Sequence, residues 1–150
     1  MTKLQVRDAD EMHALGIRIG KQLRPGDLVA LVGPLGAGKT TMTRGVGEAL
    51  GAIGNVSSPT FVIARTHKRE NGEAPMVHVD AYRLGSADEL DDLDIDFPNS
   101  IVLVEWGKGM LDDINDNLLE VEIARDHTGE SETREVTITG IGPRWAGVTF

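Results

Sequence analysis

Residues 27 to 50 read DLVALVGPLGAGKTTMTRGVGEAL, and this stretch restricts the fold more than any other in the chain. The run DLVALVG is too short for a solitary helix and rich in valine and leucine, which predicts a strand covered on both faces. From Thr40 to Leu50 the pattern predicts a helix stopped by Gly51. Between the two, Gly33 to Thr40 satisfy G-x-x-x-x-G-K-[ST], the phosphate-binding loop pattern. Gly36 and Gly38 can take backbone conformations closed to other residues and leave no side chain in the way. Successive N–H groups across Gly36, Ala37, Gly38, Lys39, Thr40 and Thr41 can then converge on phosphate oxygens at the positive end of the helix. Lys39 is expected at the β- and γ-phosphates, and the Thr40 hydroxyl on Mg²⁺.

The flanking segments predict how this unit is completed. LQVR (residues 4 to 7) is a short strand. Asp8 with Glu11 has the spacing of a capping box, and Met12, Leu15, Ile19 and Leu23 repeat at helical intervals up to the Pro25-Gly26 break. FVIARTH and MVHVD flank a polar segment centred on Asn71-Gly72, the pattern of a hairpin. IVLVE (101 to 105) reads as a second buried strand, and LLEVEIA with REVTITG as a second hairpin around RDHTGESE. At 150 residues and 40% hydrophobic composition the chain suits one domain. The expected fold is therefore α/β: a single P-loop NTPase-like domain over residues 1–150 with a mixed parallel and antiparallel sheet.

Composition narrows the function. The absence of cysteine removes disulfides and thiolate zinc sites and fits a reducing, cytoplasmic setting. The four histidines show no ligand pairing, and no run approaches the roughly 20 apolar residues of a membrane span. With 24 acidic against 15 basic residues the formal charge is −9, which disfavours direct contact with a phosphate backbone. Hydrolysis of a bound triphosphate needs a carboxylate near the metal at the end of a buried strand. Two candidates have that form: Glu105, closing IVLVE, and Asp80, closing MVHVD.

GPLGAGKTT, SSPTF (57 to 61), HVDAYR (78 to 83) and VEWG (104 to 107), in this order and spacing, resemble the TsaE family, also called YjeE. The resemblance runs from about Asp8 to Gly140. It implies a Mg²⁺-dependent P-loop ATPase needed for tRNA threonylcarbamoyladenosine biosynthesis in bacteria, with the TsaD and TsaB subunits as partners and tRNA served only indirectly. It also implies roles for single residues. Lys39 and Thr40 act on phosphate and Mg²⁺, Thr60 lies in a switch-like loop facing the γ-phosphate, Asp80 and Glu105 complete the magnesium and water site, and Trp106 sits beside it. Asp8 and Arg134 match positions bordering the nucleotide. Pro34 departs from the family, many of whose members carry aspartate there; that acid lies outside the signature glycines and lysine.

Three other readings compete. A GTPase would share the D-x-x-G of DHTG (126 to 129), but no Asn-Lys-x-Asp follows in the remaining 21 residues. A small-molecule kinase generally carries an arginine-bearing lid, and the ten arginines here are scattered without a lid-sized insertion. A nucleotide-gated binding module is compatible with an ATPase, and turnover measured with and without partners separates the two.

DELDDLDID places six carboxylates in residues 88 to 96. It reads as a solvated helix face or as a docking surface for a basic partner. If the second reading holds, replacing Asp91, Asp92 and Asp94 together by asparagine will slow association with the partner complex and flatten its salt dependence, because charges beyond about 8 Å are screened at physiological ionic strength. Association rate against salt for both proteins is the measurement, and identical slopes would leave only a solvated face.

Overall fold

The computed structural model describes residues 1–34, 36–54, 64–81, 93–105, 116–125 and 132–150. Along the chain these form β1 (Thr2–Val6), α1 (Ala9–Gly20), β2 (Leu28–Val32), α2 (Lys39–Leu50), β3 (Ala64–His67), β4 (Met76–Asp80), β5 (Ile101–Glu105), β6 (Leu118–Arg125) and β7 (Arg134–Ile141). All seven strands join one sheet in the order β1-β7-β6-β2-β5-β4-β3. β2 lies in the middle, parallel to both β5 and β6, and β4 runs parallel to β5. Antiparallel partners complete the margins: β3 on β4, β7 on β6, and β1 on β7. The α/β class and the mixed sheet expected from the sequence are both observed.

Alternation along the strands divides the core in two. Val29, Leu31, Leu103, Val121 and Ile138 face α1 and α2, where Met12, Leu15, Ile19, Met42 and Val46 meet them. Leu28, Ala30, Val77, Val79, Val102 and Val104 form the opposite face, against which Leu93, Ile95 and Phe97 pack. Thus β2 and β5 are covered on both sides, as their continuous apolar runs require. The segment from Leu93 to Asp96 is not helical. Its apolar residues alternate with the exposed Asp94 and Asp96, so the helix reading of the acidic stretch fails over these residues; residues 88 to 92 lie outside the described part.

Local signals explain the element ends. Asp8 Oδ1 accepts from the Glu11 N–H at 2.9 Å, capping α1. The second half of the expected capping box is displaced: Glu11 takes the backbone N–H of Arg7 rather than that of Asp8, and also the Arg7 guanidinium, both at 2.8 Å. These bonds, the backbone one foremost, hold the Glu11 carboxyl below the usual carboxylate range. α2 begins one residue earlier than expected, at Lys39, and ends on Gly51 with φ +69°.

The two helices cross on glycines. A Cβ at Gly16 would overlap the Met42 carbonyl oxygen, one at Gly45 the His13 carbonyl oxygen, and one at Gly20 would sit 2.7 Å from the Ala49 Cβ. The backbones touch because nothing stands between them. At the far end of the sheet the buried Asp27 receives Arg144 through two bonds of 2.9 and 3.0 Å, and Arg144 stacks on Trp145 at 4.1 Å. This pair ties the C-terminal segment to the turn that feeds β2. Introducing a side chain at the crossing should cost about 1–3 kcal/mol, the usual range for overpacking. Gly45→Ala is therefore expected to lower the thermal midpoint by several degrees, and an unchanged midpoint in a thermal melt would mean that the helices lie further apart.

Candidate functional site

The carboxyl ends of β2, β4 and β5 come out together because the three strands are parallel. Register places Leu31 of β2 and Asp80 of β4 opposite Glu105 of β5. The glycine loop leaves β2 at this edge. Gly36 and Gly38 have φ of +76° and +113°, the left-handed region that glycine alone enters without strain. Gly33 is required for a different reason: a Cβ there would lie 2.6 Å from the Ile123 carbonyl oxygen of the neighbouring β6.

α2 therefore starts from a glycine that supplies no side-chain cap, and its first turn carries no acid. Its leading N–H groups point into an open cleft of about 230 Å³ lined by Gly36 to Thr41 and Glu105. Lys39, 8% exposed, folds its ammonium back to donate to the carbonyl oxygens of Gly33 and, at 3.1 Å, Pro34. The Thr40 hydroxyl lies 3.5 Å from Glu105 Oε1, and Glu105 is 4% exposed. One ammonium, a helix N-terminus and a hydroxyl beside a buried carboxylate can bind an anion together with a hard cation.

A second hollow of about 160 Å³ opens on the other side of the loop, between Asp8, Met12, Gly36 to Gly38, Thr41, Glu132 and Arg134. The glycine crossing of α1 and α2 brings Asp8, at the head of one helix, to Thr41, in the first turn of the other. Of the residues singled out from sequence, Lys39, Thr40, Glu105 and the half-buried Asp80 thus gather on one side, and Asp8 and Arg134 on the other, with the loop between. Thr60 and Trp106 lie outside the described residues. A larger hollow, about 400 Å³, lies away from the loop between β1 and α1, and its one acid, Glu11, is engaged by Arg7.

Two residues at the site escaped the sequence reading. Arg125 ends β6 in register with Arg134, and its guanidinium comes within 3.5 Å of where a Gly36 Cβ would be. The register thus sets two guanidinium-bearing residues side by side at the strand end next to the loop. The alternation of LLEVEIAR carried that signal once the strand was extended to Arg125. The other is His78, whose ring is fully buried with Nε2 3.4 Å from Glu105 Oε1.

Residues 6–136 match the family model described as threonylcarbamoyl adenosine biosynthesis protein TsaE. The chain belongs to the TsaE family. Its similarity to TsaE of Streptomyces coelicolor is 53% identity over 140 residues, covering 90% of this chain and 94% of the relative. TsaE of Mycobacterium tuberculosis strain H37Rv is 47% identical over 85% of this chain and 80% of its own, and that of Bacillus subtilis 36% identical over 95% and 88%. Each of these relatives carries the name tRNA threonylcarbamoyladenosine biosynthesis protein TsaE. The crystal structure of Bacillus subtilis YdiB superposes with a TM-score of 0.75 at 30% identity, covering 97% of this chain and 88% of that one.

Proposed function

We propose that this chain is a Mg²⁺-dependent ATPase that acts in the biosynthesis of tRNA threonylcarbamoyladenosine, in the cytoplasm, as a nucleotide-dependent partner of TsaD and TsaB. The observation that carries the catalytic part is the meeting, at one sheet edge, of a glycine loop opening α2 with a buried strand-end carboxylate 3.5 Å from Thr40 Oγ1. The relatives' shared name supports the biosynthetic part.

In this reading the triphosphate lies along Gly36 to Thr41, its oxygens receiving the leading N–H groups of α2 and the Lys39 ammonium. Lys39 leaves the Gly33 and Pro34 carbonyls to reach it. Arg125 and Arg134 add charge from the β6–β7 side, and the hollow between Asp8, Met12 and Arg134 takes the nucleoside. Thr40 would hold Mg²⁺, with Asp80 and Glu105 completing the magnesium and water site. Among the described residues no three His, Asp or Glu side chains converge, and Mg²⁺ suits such a site because it is commonly held by one or two protein oxygens plus phosphate. When bound, the ion neutralises charge on the phosphates. Glu105 acts as the base for a water, and burial keeps competing solvent from its carboxylate. The family resemblance adds Thr60 and Trp106 to the proposed set.

Two variants separate binding from turnover. Lys39→Ala should weaken Mg-ATP binding about a hundredfold while the fold survives, as read by calorimetry and circular dichroism. An unchanged affinity in the folded variant would refute the phosphate assignment. Glu105→Gln should retain ATP but hydrolyse it at least about a hundredfold more slowly in single-turnover assays, and a normal rate would remove Glu105 from the chemistry.

A further inference from the structure

His78 occupies the centre of β4 with 0% of its surface exposed, and neither of its ring nitrogens has a hydrogen-bond partner. Burying a polar ring this way is costly, and a leucine or methionine would fill similar space without that cost. Strand geometry says where the ring points. In β4, residues 76, 78 and 80 share a face, and the parallel register sets His78 opposite Leu103 and Asp80 opposite Glu105. Met76 and Leu103 belong to the core beneath α1 and α2, so His78 lies on that face and one step below the site.

Glu105 lies beside it: Nε2 stands 3.4 Å from Oε1, slightly beyond hydrogen-bond length. The same Oε1 lies 3.5 Å from the Thr40 hydroxyl. One oxygen of the carboxylate therefore has both the Thr40 hydroxyl and a His78 ring nitrogen within 3.5 Å, while the acid itself is almost wholly buried. A carboxylate held by one oxygen cannot rotate freely, and its second oxygen keeps a defined direction.

We propose that His78 is a positioning residue for Glu105: its Nε2–H donates to Oε1 and so orients Oε2 toward the water that Glu105 activates. This rests on the reading of Glu105 as the base. Buried donors go unpaired more rarely than acceptors, which favours protonation at the nitrogen that faces an oxygen and leaves Nδ1 as the bare acceptor.

The test uses the full chain in two arms. In nucleotide-free protein, imidazole ¹⁵N spectra at pH 8 should show His78 as the Nε2–H tautomer, with its Nε2 resonance moving in Glu105→Gln; the Nδ1–H tautomer would overturn the proposal. In single-turnover hydrolysis, His78→Leu should lose roughly tenfold to a hundredfold in rate with Mg-ATP affinity unchanged. His78→Gln, whose amide N–H reaches a similar position, should recover most of that loss. Leucine hydrolysing like wild type, or glutamine failing as badly as leucine, would also overturn it. If His78→Leu does not fold, the tautomer decides alone. A normal rate in Glu105→Gln would instead refute the base assignment, whereas a slow Glu105→Gln beside a normal His78→Leu would refute only the role of His78.

Discussion

Parallel pairing of β2, β4 and β5 is the constraint on which the site depends. Parallel strands carry their carboxyl ends to the same edge, so a loop leaving β2 and acids ending β4 and β5 become neighbours although up to 72 positions separate Gly33 from Glu105 in sequence. Had β2 and β5 been antiparallel, the glycine loop and Glu105 would sit at opposite ends of a five-residue strand, about 17 Å apart. Because hairpins cannot connect parallel neighbours, the chain must cross between β2 and β5, and α2 is part of that crossing.

The second requirement is that α2 be held still, since its N-terminus presents the N–H groups. Contact with α1 through Gly16, Gly20 and Gly45 does this by letting backbones meet without side chains between them. The same contact sets Asp8 beside the loop, so one crossing both steadies the phosphate end and builds the wall of the neighbouring hollow. At the opposite end of the sheet, Arg144 and Asp27 hold the last residues against the start of β2. Both are nearly buried, and each carries enough bonds to offset the loss of water: Asp27 also accepts from the Arg24 N–H at 2.8 Å, and Arg144 donates to the Gln22 carbonyl.

Position 34 shows how loosely some loop residues are tied to this geometry. Pro34 contributes its carbonyl, which accepts from Lys39 and from the Ala37 N–H, and no side-chain polar group. Any residue could supply that carbonyl, so the turn does not require an acid there. Gly33, Gly36 and Gly38 differ, since the first meets the Ile123 backbone and the other two need positive φ.

What the sequence determined by itself is local. Valine-rich runs, the cap at Asp8, Gly51 at a helix end and the spacing of Gly33, Gly38, Lys39 and Thr40 each report the conformation of a few consecutive residues, because sterics and hydrogen bonding within a turn suffice to set it. That was enough to find the strand, loop and helix, and to mark Asp80 and Glu105 as strand-end acids. Tertiary structure decided the rest. Strand order, the pairing of β1 with β7, the insertion of β2 between β5 and β6, and the overlap of Gly16 with Gly45 depend on which apolar faces meet, and many partners satisfy an alternating pattern equally well. His78 is the clearest case: in HVDAYR it is an ordinary polar residue in a strand, and only the register with β5 and its burial on the face of the sheet that packs against the helices turn it toward Glu105.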